Sequence, residues 1–281
     1  MRSLILGAVA YDPKVVTIWE GFKQHFERNG LPFDFVLYSN YESLVEAQLA
    51  DAVDVAWNSP LAFIEAERAA IARGRRARAI AMRDTDRDLT SVVVVRADST
   101  ARTLADLTGK TVAVGAEDSP QATLIPLLAF SDAGLRPGGD FEIKRHDLLV
   151  GKHGDHIGGE REAARALLAG KADAACMIDG NHLAFTQEGT LPQGSTRILA
   201  QTPPYDHCNF TVLNGGQRGA VDRFTSLLLE MSYDDASVRG LLDMEGLKTW
   251  LPGRADGYVQ LNRAVDLFGT LDAVLARAAR R

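Results

Sequence analysis

Three short stretches of this chain carry side chains whose types and spacing could do chemistry. The first is GAEDSPQATLIP, residues 115–126, where the apolar run KTVAV ends at Gly115 and a helical pattern begins near Ser119. A helix that starts directly after a strand aims its first, unbonded N–H groups and the positive end of its dipole at whatever lies beyond the strand. That is an arrangement for an anion, with Ser119, Gln121 and Ala122 as its contacts. Ser119 and Asp118 have a second reading, as caps that satisfy the helix itself.

The second stretch is HDLLVGKHGDHIGGERE, residues 146–162. It combines His146, His153, Asp155, His156 and Glu160 in a glycine-rich segment. Imidazole and carboxylate together suit zinc, iron or nickel, so His153, Asp155 and His156 are the metal candidates, although their spacing matches no standard motif. A loop that folds over a ligand, and a solvated loop, are the other readings, and His146 is taken as a ligand contact.

The third is YDHCNF, residues 205–210, with Asp206 and His207 as ligand contacts. A cysteine beside a histidine can be an activated thiol. Neighbours on an extended segment point opposite ways, however, so Cys208 reads as a small wall residue. If the chain were an enzyme, His207, Cys208 and Glu160 would be the catalytic candidates. Cys176, within DAACMID, reads as core.

These stretches need elements to position them. SLILGAV (3–9), FDFVLY (33–38) and VDVAWNSP (53–60) read as strands, alternating with helical patterns at 16–30, 40–50 and 61–74. The basic run RGRRAR (73–78) reads as the cap of the last of these helices. The order β-α-β-α-β-α predicts a parallel sheet with right-handed crossovers. The pattern restarts with the strand TSVVVVRADS (90–99) and runs on through TVAVGA, FEIKRHD and ADAACMID. CNFTVLN (208–214) is the return strand, and 217–281 reads as helices packing back onto the first lobe.

The predicted fold class is therefore α/β and two-lobed, each lobe a mainly parallel sheet flanked by helices, with two crossing hinge strands. Lobe one comprises 1–90 plus 214–281, and lobe two 91–213. Open α/β sheets bind ligands at the carboxyl ends of their strands, which adds Tyr11, Asn58, Ser59 and Asp179 to the expected contacts. Asp179 would meet a cationic part of the ligand, making it zwitterionic. Trp57 has two readings, ligand wall or core.

Composition narrows the function further. The 281 residues are 46% hydrophobic and 24% charged, values of an ordinary folded protein. A net charge of -6 with scattered basic residues argues against a nucleic-acid partner. No window approaches the ~20 apolar residues of a membrane span. The opening MRSLILGAVAYDP reads as the first strand rather than a secretory signal. That predicts a cytoplasmic protein, or an extracytoplasmic one if a signal has been removed; Cys176 and Cys208 lack the spacing of a disulfide framework.

In this order the segments resemble the phosphonate-binding branch of the type 2 periplasmic binding proteins. The resemblance rests on VDVAWNSPLAF (53–63), SVVVVRADSTARTLADLTGKTVAVGAEDSPQATLIP (91–126), RHD (145–147), LLAGKADAACMIDG (167–180) and TPPYDHCNFTVL (202–213). It implies the substrate-binding component of an ABC importer, partnered by a permease, closing on a small anionic or zwitterionic metabolite without a cofactor. The sequence departs from that branch where phosphonate binders have a hydroxyl-rich Ser-Thr-Ser-Gly type run. Here the residues are Ser119, Pro120, Gln121 and Ala122, and proline has no N–H to give. A carboxylate or sulfonate thereby joins phosphate and phosphonate as a ligand class. The alternative is an enzyme on the same fold, lyase- or dehydratase-like or metal-dependent, as chorismate dehydratase and the hydroxymethylpyrimidine-phosphate synthase of thiamin synthesis resemble binding proteins.

Overall fold

The apolar run near the start of the chain forms β1 (Leu4–Val9), buried at five of its six positions as a central strand requires. The structure, a computed structural model, describes residues 2–153, 159–216 and 218–271. Helix α1 (Lys14–Arg28) follows and buries Val15, Ile18, Trp19, Phe22 and Phe26, a stripe at helical spacing. Then come β2 (Phe33–Tyr38), α2 (Tyr41–Leu49), β3 (Val55–Asn58), α3 (Pro60–Ala72) and β4 (Ala77–Arg83). Asn40 and Ser59 open α2 and α3 by accepting from the N–H groups of Ser43 and Ala62, at 2.8 and 3.1 Å. The basic run after α3 does more than cap that helix. Arg73 is its C-cap, while the Arg75 guanidinium reaches Asp51 and the Leu49 carbonyl in the last turn of α2.

A second series follows: β5 (Ser91–Arg96), β6 (Thr111–Val114), a π turn at Pro120–Leu124 that runs into α4 (Ile125–Asp132), and β7 (Glu142–Arg145). It ends with α5 (Glu160–Leu168), β8 (Ala174–Ile178), α6 (Asp179–Gln187) and β9 (Thr196–Gln201). The chain then returns through β10 (Asn209–Leu213), α7 (Arg218–Leu229), α8 (Ala236–Glu245) and β11 (Trp250–Pro252), and closes with α9 (Val259–Phe268).

The chain divides into two units, Met1–Arg87 with Asp206–Tyr258, and Asp88–Tyr205 with the segment from Val259 onward. Unit one holds a sheet of order β11-β4-β10-β3-β1-β2, and unit two a sheet of order β7-β6-β8-β5-β9. The two-lobed α/β fold is as expected, but both sheets are mixed. β10 inserts antiparallel between β3 and β4, and β5 runs antiparallel to β8 and β9. Strands that enter a sheet from a long connection are free to reverse direction, and hydrophobic pattern alone does not encode which way they run. The second difference is α9, expected with lobe one, which groups with unit two and packs there on α4 and the π turn. Arg263 fixes it there, donating to both carboxylate oxygens of Asp132 at 2.7 and 3.2 Å.

The core of unit one is aromatic: Trp19, Phe22, Phe26, Trp57, Phe210, Phe224 and Trp250 form one buried cluster. Trp57 meets Phe210 at 4.6 Å and Trp250 edge-on at 5.8 Å, which makes it core rather than ligand wall. Unit two packs smaller side chains on both sheet faces, Cys176 among them and fully buried as expected.

Candidate functional site

In unit two, the carboxyl ends of β6, β7, β8 and β9 and the start of β5 share one sheet edge. The segment Asp118–Leu124 lies there, buried throughout. Ser119 is the cap, its hydroxyl accepting from the Ala122 N–H at 3.2 Å, with Pro120 next. Asp118 instead holds the following loop, accepting from the Gly151 N–H at 2.6 Å. Ser91 anchors the turn by donating to the Gln121 carbonyl at 2.5 Å. Because that spends its only proton, Tyr205 must donate to Ser91 across 2.7 Å. Burial drives the Tyr205 phenol far above its usual range, so it stays a donor.

His146 follows β7, its N–H bonded to the Val114 carbonyl at 3.1 Å. Its Nε2 is buried with no hydrogen-bond partner among the described residues, and burial lowers its pKa, favouring a neutral imidazole. Asp179 follows β8 and opens α6, accepting from the Thr90 hydroxyl at 2.8 Å and the Gly180 N–H at 2.7 Å. The sheet edge therefore brings Ser119, Gln121, Ala122, His146 and Asp179 into one row of strand ends.

Gly159 packs closely against backbone at this edge. With φ at +81°, a side chain is disfavoured there, and a Cβ would stand 2.3 Å from the His146 carbonyl oxygen and 3.2 Å from the Gly115 Cα. Glu160, beside it, accepts from the Ile178 N–H at 2.9 Å and from Asn181 at 2.8 Å. It braces α5 against the β8–α6 junction, which explains its burial without a catalytic role. His153 is buried with φ at +52°, and burial pushes its pKa down to about 3. Asp155 and His156 lie outside the described residues.

The corresponding edge of unit one carries the carboxyl ends of β1 to β4 and, since Asn209 pairs with Asn58, the start of β10. Asn58 is fully buried; its amide nitrogen faces Gln48 Oε1 at 3.4 Å and its Oδ1 has no hydrogen-bond partner among the described residues. Ser59 is spent as the cap of α3. Tyr11 is half-buried, with the Lys14 ammonium 6.0 Å from its ring centre. Asp206 is gripped by Arg254 through both oxygens, which gives its buried carboxylate a structural partner within unit one.

The expectation that His207 and Cys208 point opposite ways is overturned. Residues 206–208 precede β10 and are not extended strand, and His207 Nδ1 lies 3.1 Å from Cys208 Sγ. The same nitrogen is 3.4 Å from Asp86 Oδ1. Burial would raise the Asp86 carboxyl, but the adjacent Arg83 guanidinium and the His207 hydrogen bond hold it far below the usual range. Sequence reading missed Arg83 and Asp86, whose partner His207 is remote in the chain. It also missed Glu42 and Glu65, buried carboxylates on α2 and α3. Burial, with Glu42 and Glu46 nearby, pushes the Glu65 pKa up to about 8.

Comparison with known proteins fits this layout. Residues 8–258 match the family described as "ABC transporter, phosphonate, periplasmic substrate-binding protein". PhnD1 from Prochlorococcus marinus, solved in complex with methylphosphonate, has a TM-score of 0.71 at 16% identity, over 95% of this chain and 98% of that one. XAC2383 from Xanthomonas citri, bound to ATP, gives 0.70 at 17% identity over 95% and 99%. The aliphatic sulphonate binding protein SsuA from Escherichia coli gives 0.58 at 18% identity over 97% and 88%. At such identities these structures share the fold, and the family assignment rests on the match along the sequence. The chain belongs to the periplasmic, phosphonate-binding family of ABC-transporter substrate-binding proteins.

Proposed function

We propose that this chain captures a small oxyanion that also carries a cationic group, such as an aminoalkyl phosphonate or sulfonate, and delivers it to an ABC permease outside the cytoplasm. The observation that carries the reading is the unit-two edge, where the helix opening at Ser119–Ala122, the neutral His146 and the Asp179 carboxylate follow adjacent parallel strands. A helix start and a neutral imidazole suit an oxyanion, and a carboxylate suits an ammonium group. The family match supports binding over the enzyme alternative. Among the described residues no helix is long and apolar enough to cross a membrane.

Titration calorimetry of the full chain against methylphosphonate, an aminoalkyl phosphonate, an alkylsulfonate, phosphate and an amino acid tests it. The aminated oxyanions should bind most tightly and be recovered unchanged. Asp179→Asn should weaken them by roughly tenfold or more, the loss of one charge-assisted contact, and leave methylphosphonate nearly untouched. Equal affinity in both proteins, or a chemically altered ligand, would refute the reading.

A further inference from the structure

Just before β10 and just after β4, unit one assembles three donors of different softness. The thiol of Cys208, the imidazole of His207 and the carboxylate of Asp86 place their ligand atoms within 4.8 Å of one another. All three residues are buried, at 3%, 6% and 2% exposure. We propose that Asp86, His207 and Cys208 form a transition-metal site inside unit one, suited to Zn²⁺ or Co²⁺ and built from residues other than those of the unit-two edge.

The donor set selects the metal class. Thiolate and imidazole favour zinc and its neighbours over magnesium or calcium, and a single carboxylate completes a common zinc set. The spacing is close to what such an ion requires. Bond lengths of about 2.0–2.3 Å imply tetrahedral edges of about 3.3 Å between nitrogen and oxygen and about 3.6 Å between nitrogen and sulfur. His207 Nδ1 is 3.4 Å from Asp86 Oδ1 and 3.1 Å from Cys208 Sγ, with all three ligand atoms within 4.8 Å, so a bound ion has to draw the donors into its own geometry, the sulfur withdrawing from the nitrogen by about half an ångström. Binding exchanges protons for the metal: the thiol releases its proton to solvent as the S–M bond forms, and the imidazole binds through an unprotonated Nδ1. Three protein donors leave the fourth tetrahedral position for water.

The surroundings hold these ligands from outside, as the partners of metal ligands do. Arg83 donates to both oxygens of Asp86, at 2.5 and 3.0 Å, and each carboxylate oxygen keeps a further lone pair. The His207 N–H is bonded to the Asp86 carbonyl at 2.8 Å, and its own carbonyl accepts from the Tyr258 hydroxyl at 2.9 Å. Asn209 in turn donates to that hydroxyl at 2.8 Å. The Arg83 guanidinium lies 5.2 Å from the Trp57 ring centre, which places the aromatic core directly behind the site.

The test uses the full chain, unfolded and refolded with Co²⁺ or Zn²⁺ so that burial does not block entry, then passed through a desalting column. One equivalent of metal should be retained, with a thiolate-to-cobalt charge-transfer band. Cys208→Ser should lose the band and His207→Asn should lower retention, whereas Cys176→Ser should keep both. If the Cys208 variant does not refold, X-ray absorption at the zinc edge of the native chain decides the matter, with one sulfur and otherwise nitrogen and oxygen expected. No retained metal in the native chain, a zinc shell without sulfur, or a band that survives Cys208→Ser would overturn the site.

Discussion

Arg254 donates through Nε and Nη2 to the two carboxylate oxygens of Asp206, each at 2.6 Å. Asp206 also gives its N–H to the Gly257 carbonyl at 3.0 Å, and a Cβ on Gly257 would stand 2.1 Å from its carboxyl carbon. The pair therefore ties the start of β10 to the segment after β11. Its carboxylate is buried and its guanidinium partly exposed, a case between a surface and a buried ion pair. Asp206→Ala should cost about 2 kcal/mol in urea unfolding, and the double variant with Arg254→Ala should cost clearly less than the sum of the two single variants. Full additivity would show that the pair is not coupled.

Gly159 sets the geometry of the unit-two edge, so Gly159→Ala tests whether that geometry matters. The added Cβ combines positive-φ strain with contact at 2.3 Å to backbone, which cannot rotate away. A loss of about 1–3 kcal/mol is expected, with a fall in ligand affinity because His146 and Gly115 must part. Thermal unfolding and calorimetry on the same preparation would read both, and unchanged affinity would place the ligand elsewhere.

Glu65 predicts a pH dependence with a definite sign. Its folded pKa of about 8 lies above the ordinary 4.5, so the folded state holds the proton more tightly. The stability this contributes is complete below about pH 4.5 and is lost as pH rises toward about 8. Glu65→Gln keeps the neutral shape without the titration. Its unfolding free energy should therefore gain on the wild type as pH rises across that window, by up to a few kcal/mol. Parallel curves for the two proteins would contradict the assignment.

Pro120 occupies the first position of the π turn and has no N–H for an oxyanion. Pro120→Thr restores that donor and adds a hydroxyl, and should raise methylphosphonate affinity by roughly three- to tenfold, the net value of about one hydrogen bond. No gain in calorimetry would mean that the proline is not what departs functionally from the hydroxyl-rich family run.

Local patterns along the chain account for the elements that repeat a simple rule. Apolar runs ending in Asn58-Ser59 or Gly115 announced strands followed by capped helices, and together with the family resemblance they identified the two-lobed α/β fold. The sequence also placed Cys176 and, by its missing N–H, made Pro120 stand out. Strand direction, the berth of α9 and the partners of buried charges were decided only by tertiary structure. β10 turns both sheet neighbours antiparallel, and the Arg263–Asp132 contact holds α9 in unit two, through pairings that no local pattern encodes. The same holds for Asp206 with Arg254 and for Asp86 with His207 and Cys208. A side chain's chemistry depends on what stands within a few ångströms of it, and here those neighbours come from distant parts of the chain.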